Sequence, residues 1–238
     1  MTPATLHPQE RNMHHRKPRT SVVTKRTIGL GVVATAGLAM TATVASATTG
    51  PGFSHGAAVA VDMAHSRADR MHVNQFDESF EIHEYGPSVA VTANNRATAE
   101  SVGCSLDAPC RSVALSFQIV TTSGRNARLI NASNISRSAN GHCPSCQTFA
   151  GAYQFVVATP RAFSLGQGAR AELNRIDRQV GLLRGSGLTI SQIKRRADEL
   201  AAQVKTILDR EAQRAPRGRE DSPLADFEPT VTMHRHVR

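Results

Sequence analysis

The segment Cys110-Arg-Ser-Val-Ala-Leu-Ser-Phe117-Gln-Ile-Val returns 36 residues later as Cys146-Gln-Thr-Phe-Ala-Gly-Ala-Tyr153-Gln-Phe-Val. Cysteine, small residues, aromatic, Gln and β-branched end all keep their places. A fixed period of this kind means that one supersecondary unit was built more than once. A further copy precedes these two. Ser79-Phe80-Glu-Ile82 matches Ser116-Phe117-Gln-Ile119, 37 residues on, with Val73 where the cysteine would fall. Units of this sort need about three copies before they hold together.

Each copy carries a strict alternation. In Val113-Ala-Leu115-Ser-Phe117-Gln-Ile119 the odd positions are apolar and the even ones small or polar. Side chains alternate faces with period 2, so the four apolar residues share one face of a strand. Ala114, Ser116 and Gln118 fall on the other face, where they can meet water. Phe149, Gly151, Tyr153 and Phe155 fit the same template in the last copy. Ser88–Ala93 and the stretch around Ala127–Asn131 suggest a second strand per copy. Gly86-Pro87, Asn94-Asn95, Ser123-Gly124 and Asn140-Gly141 read as turns.

After Thr159-Pro160 the apolar spacing changes. Leu173, Ile176, Val180 and Leu183 step by 3, 4 and 3, and Ile193, Ala197, Leu200, Val204 and Ile207 by 4, 3, 4 and 3. Arg184-Gly-Ser-Gly187 separates the two runs, and Thr189-Ile-Ser-Gln192 is a capping box. Two amphipathic helices with a short Gly loop predict an antiparallel hairpin. The expected fold is therefore α+β. It comprises a small antiparallel sheet built from about three repeats of roughly 36 residues, over residues 75–160, followed by a helical hairpin over 161–214. The apolar face of the sheet needs a cover, and the helices can supply it.

The ends read differently. Residues 1–26 are basic, an uncharged run follows from Ile28 to Val44, and Ala45-Ser46-Ala47 closes it with a small-x-small pattern. Basic, apolar and small-residue parts in this order predict a secretory signal peptide over 1–47, cleaved after Ala47. Residues 48–74 read as a flexible N-terminal segment. Residues 215–238 read as a disordered tail, with His234 and His236 solvated. The whole chain carries +9. Residues 1–47 hold six Lys/Arg and one Asp/Glu, so the remaining 191 residues carry 22 basic and 18 acidic positions, a net +4. Much of the positive charge thus belongs to the export signal, which argues against a specific nucleic-acid partner. Residues 161–214 hold 11 basic and 6 acidic positions, and Lys194-Arg195-Arg196 is the densest cluster, a candidate contact with an anionic surface.

The four cysteines fall as Cys104-x5-Cys110 and Cys143-Pro-Ser-Cys146. An exported chain with an even cysteine count and few aromatics is a usual setting for disulfides. Pairing inside each copy is favoured, because each pair starts its own strand. Such short loops are worth about 2 kcal/mol each, against about 4 for Cys104 with Cys143. Two other readings stay open. Cys143 and Cys146 have zinc-knuckle spacing, although the x5 gap is wide for one. Cys-Pro-Ser-Cys also has the form of a thiol–disulfide redox motif, although it leads into a β-patterned run.

The chain contains no His-Glu-x-x-His, no Gly-x-Ser-x-Gly and no Gly-x-x-x-x-Gly-Lys. No nucleophile–base pair is legible, so neither a catalytic residue nor a cofactor is expected. The repeat strands, Cys-Pro-Ser-Cys-Gln-Thr-Phe-Ala-Gly-Ala-Tyr-Gln-Phe-Val-Val and the closing hairpin together resemble exported actinobacterial proteins. Some of these are labelled peptide zinc metalloprotease proteins. The resemblance covers roughly residues 80–212, and it lies with a non-catalytic module and not with the protease part. It implies an accessory role beside a membrane protease or export system, and it carries over only Cys143 and Cys146, more loosely Cys104 and Cys110. The expected function is a secreted, disulfide-stabilised interaction module of the cell envelope, with a redox or zinc-stabilised protein as the alternatives.

Overall fold

The computed structural model describes residues 57–88, 90–217 and 227–238. The expected signal peptide, residues 48–56 and the tail residues 218–226 lie outside the described residues. Seven strands and two helices follow in chain order: β1 (Ala57–Ala68), β2 (Asn74–Pro87), β3 (Ala90–Val102), β4 (Arg111–Ser123), β5 (Ile130–Gly141), β6 (Gln147–Thr159), α1 (Gln167–Gly181), α2 (Ile190–Arg214) and β7 (Thr230–Val237). A 3-10 turn, Leu182–Gly185, follows α1.

The strands form two sheets. One has the order β1-β3-β5 and the other β2-β4-β6-β7. All pairings are parallel except that of β6 with β7. This overturns the expectation of a small antiparallel sheet. The two strands of each copy do not pair with one another. They belong to different sheets, so the chain winds through both sheets once per copy and makes a three-coil solenoid. Equivalent strands of successive coils then run in the same direction. Phe80 lies beside Phe117 and Phe117 beside Tyr153, one coil apart each time. Their rings stack, with centroids 5.6 and 4.6 Å apart. Alternation reveals which face a residue takes, but not which strand lies beside it.

The layers are sheet, sheet and helices. Val113, Leu115, Phe117, Ile119, Phe149, Tyr153, Phe155 and Val157 face the helices and form the main core. From α1 and α2 that core receives Leu173, Ile176, Val180, Ile193, Ala197, Leu200 and Val204, all on the stripes read from the spacing. Thr189 and Gln192 make the capping box at the start of α2. Gly151 sits in the middle of this face. A Cβ there would come within 3.1 Å of Leu115 and Tyr153 side-chain carbons, so the missing side chain makes room for the neighbouring aromatics.

The opposite face of β4 and β6 does not meet water. Ala114, Ser116 and Gln118 are fully buried against the first sheet. The interior between the sheets is thin and alanine-rich, with Ala64, Ala97, Ala99, Ala114, Ala150 and Ala152 at its centre. Small side chains let the sheets approach closely, and the polar ones among them must be satisfied internally.

Two further expectations are corrected. Residues 57–68, read as flexible, form β1 at the edge of the first sheet. Their alternation hides in Ala and Val of similar character. Residues 230–237, read as part of a disordered tail, form β7. Val231, Met233 and Val237 pack against the core while the intervening residues face the other way. The period-2 signal is present, but it spans eight residues and carries two histidines and an arginine. Among the described residues no helix is long and apolar enough to cross a membrane.

Candidate functional site

The cysteines gather at the N-terminal ends of β4 and β6. Cys104 pairs with Cys110 and Cys143 with Cys146, with Cα–Cα distances of 5.9 and 5.4 Å, and all four residues are buried. Pairing is therefore within each copy. Gly103, at φ +71°, turns the chain out of β3 to bring Cys104 back toward Cys110. The Cys110 and Cys146 positions are one coil apart, and the Cys110 N–H donates to Cys146 Sγ at 3.1 Å. The two disulfides thus form one cluster together with Ala68 at the end of β1. They are compatible with an extracellular protein.

Arg111, the residue after Cys110, donates a hydrogen bond to the carbonyl of Leu188 in the α1–α2 connection. The cystine cluster is thereby tied to the bend of the hairpin. At that bend a cleft of about 380 Å³ is lined by Leu182, Leu183, Leu188, Gln192, Arg195 and Glu199, among others. Leu182 is 73% exposed. Of the basic cluster, Arg196 is committed to Glu199 at 3.0 Å and to Gln179 at 2.9 Å. Arg195 reaches Glu199 only at 4.0 Å and stays largely exposed, as does Lys194. The site residues expected from sequence therefore form two groups at one end of the molecule. The disulfides are internal, and Lys194 and Arg195 face outward at the cleft, whose lining mixes leucines with polar and charged residues.

Sequence reasoning missed a polar spine between the sheets. Gln154 donates to Gln118 Oε1 at 2.7 Å, and Gln118 donates to Asp62 Oδ2 at 2.7 Å. Asn95 donates to Asn134 Oδ1 at 2.9 Å and accepts from Ser116 Oγ at 2.6 Å. Asp62, Asn95 and Asn134 occupy matching positions of β1, β3 and β5. The Gln shared by the last two copies, with Glu81 in its place in the first, was the visible signal, but a Gln on a strand reads first as a solvent-facing residue.

The spine ends in a cap. On the open edge of β1, Asp77 accepts the His65 N–H at 2.7 Å, and Tyr85 donates to the Val59 carbonyl at 2.9 Å. His83 donates from Nε2 to Asp62 Oδ2 at 2.8 Å. That hydrogen bond raises the His83 imidazole above its ordinary range, and burial opposes it only in part. Burial, reinforced by the Asp62 charge, raises the Glu81 carboxyl. Side chains of β2 thus occupy backbone groups that an edge strand would otherwise offer to another chain.

At the other end β7 closes the second sheet. Arg235 donates to both oxygens of Asp198 on α2 at 2.7 Å, and Tyr153 donates to the same carboxylate at 2.8 Å. Burial works to raise the Asp198 carboxyl, but the bonds from Arg235 and Tyr153 outweigh it and hold the group below its ordinary range. Burial pushes the Tyr153 phenol far up. His236, read as solvated, accepts the Ser136 N–H on Nδ1 at 2.9 Å and so covers the edge of β5. Comparison of the chain with family models, curated proteins and solved structures returns no match.

Proposed function

We propose that this chain is a secreted, non-catalytic interaction module of the cell envelope, in which paired disulfides hold a docking surface in place. The carrying observation is the link from the cystine cluster through Arg111 to Leu188 at the hairpin bend. It supports a rigid frame under a surface that combines exposed Leu182 with the Lys194 and Arg195 side chains. Exposed Leu182 beside the Lys194 and Arg195 side chains suits a partner segment that carries apolar and acidic side chains. Asp62, Gln118, Gln154, Asn95 and Ser116 hydrogen-bond to one another between the sheets, which suits a scaffold. The resemblance to accessory modules of membrane protease proteins points the same way. Export is part of this reading, through the basic, apolar and Ala45-Ser46-Ala47 pattern.

The test uses the host of origin. Fractionation should place the protein outside the membrane, with a mature N-terminus at Thr48 by mass spectrometry and no thiol open to alkylation. Site-specific crosslinking from position 182 should trap one envelope protein. Lys194→Glu or Arg195→Glu should abolish that adduct without altering the circular dichroism spectrum. A cytosolic protein with four alkylable thiols would overturn the reading, as would crosslinking that ignores both substitutions.

A further inference from the structure

The four cysteines have a second chemical state open to them. The sulfurs of Cys104, Cys110 and Cys146 lie within 4.8 Å of one another, and all three residues are buried. Cys143, also buried, belongs to the same cluster and is already directed at Cys146. A tetrahedral thiolate site holds sulfur about 2.3 Å from zinc, which places the four sulfurs about 3.8 Å apart. Opening both disulfides therefore leaves the sulfurs of Cys104, Cys110 and Cys146 within about 1 Å of the tetrahedral spacing, while Cys143, outside that group of three, has to swing in from its bond to Cys146. The coil stacking supplies what linear spacing obscured. The x5 gap between Cys104 and Cys110 is too wide for a knuckle read along the chain, yet the turn at Gly103 and the register of β4 with β6 bring the sulfurs together.

Backbone groups of both kinds face the sulfurs: the carbonyls of Asp69 and Val102 lie 3.1 Å from Cys110 Sγ and 3.6 Å from Cys104 Sγ, and one N–H faces Cys146. The Cys110 N–H already points at Cys146 Sγ, a bond that strengthens when that sulfur is a thiolate. Arg70 donates to the carbonyl of Gly103, beside Cys104, and Arg111 adjoins Cys110. The centre with a divalent cation and four thiolates would carry two negative charges. We infer that reduction of both disulfides converts the cystine cluster into a tetrathiolate site for a soft divalent cation such as zinc. Two equivalents of an external dithiol deliver four electrons and four protons, cleave both S–S bonds and leave as two cyclic disulfides. One Zn²⁺ then binds four sulfurs and releases four protons to solvent. The disulfide and metal states are mutually exclusive, so the site reads the redox state of its compartment. This inference does not depend on the docking surface proposed above.

Cobalt(II) serves as the optical probe. The full chain is produced in a reducing cytosol, stripped of metal and kept under a phosphine reductant. One equivalent of Co²⁺ should give sulfur-to-cobalt charge-transfer bands with intense tetrahedral d–d bands, and one equivalent of Zn²⁺ should erase them. The oxidised chain, free of titratable thiol, should give neither. Cys146→Ser should lose the tetrahedral signal, and the His234→Ala and His236→Ala chains should keep it. A weak octahedral spectrum from the reduced natural chain would overturn the inference. So would a tetrahedral signal that depends on the histidines. The first titration needs no variant, so it decides the matter even where the Cys146→Ser chain fails to fold.

Discussion

Asp62 is a buried carboxylate that receives two hydrogen bonds, one from Gln118 and one from His83. A buried anion needs such partners, because removal from water is costly and an unpaired group bears the full loss. The consequence is a pH dependence with a definite sign. The His83 imidazole is raised in the folded protein, chiefly by its bond to Asp62. Its contribution to stability is fully present below the ordinary value of 6.5 and fades as pH rises through the higher folded value. The denaturation midpoint of the natural chain should fall as pH rises above 6.5 by more than that of Asp62→Asn. Parallel midpoint profiles of the two chains, from chemical denaturation at stepped pH, would refute this. None of this is legible in the sequence. His83 sits in a run of acidic neighbours, and Asp62 lies in a stretch of Ala and Val that gives no sign of burial. Phe117 and Tyr153 are legible as core, because alternation assigns a face whatever the partner strand. Gln118 and Gln154 are not, because only the second sheet turns their face into an interior.

At the scale of elements, the helices are the most readable part. Their stripes run at helical spacing and a capping box opens α2, all of it local information. The strands are readable as strands, but their pairing is not, since a parallel neighbour lies a whole coil away along the chain. β7 is the hardest, because its short alternation stands among charges. Its removal makes a direct test of what it does. A chain ending at Pro229 loses the pairing of β7 with Gly151–Ala158 and the Arg235 bonds to Asp198. Bare edge strands recruit other chains. The shortened protein should self-associate in sedimentation velocity runs, and the β6 amides should exchange faster with deuterium. A monomer with unchanged β6 exchange would show that β7 is dispensable.

Over the whole molecule, stability is divided between a core under the helices and the disulfide cluster at one end of the sheets. The loops closed by Cys104–Cys110 and Cys143–Cys146 are short, so each disulfide contributes about 2 kcal/mol through the unfolded chain. Reduction in the presence of a chelator should therefore lower the unfolding free energy by about 4 kcal/mol, while the far-ultraviolet spectrum stays that of a folded protein. Global unfolding on reduction would mean that the sheets depend on the disulfides far more than the core packing indicates. The aromatic stack Phe80, Phe117 and Tyr153 and the amide pairs run along the coil axis, so each coil reads its neighbour through like side chains. The repeat in the sequence is the imprint of that stacking.

The antiparallel seating of β7 also bears on how such a chain can change in length over evolution. A parallel stack accepts another coil wherever two coils already meet, since the new surfaces match the old. The β6 edge is different, because it is occupied by a strand of opposite direction whose Arg235 is anchored to α2 and whose His236 reaches β5. A duplication placed after β6 would have to displace all three attachments at once. Relatives with longer or shorter solenoids should therefore differ by whole coils ahead of β6, and should keep the final coil, the hairpin and the closing strand as an inherited set.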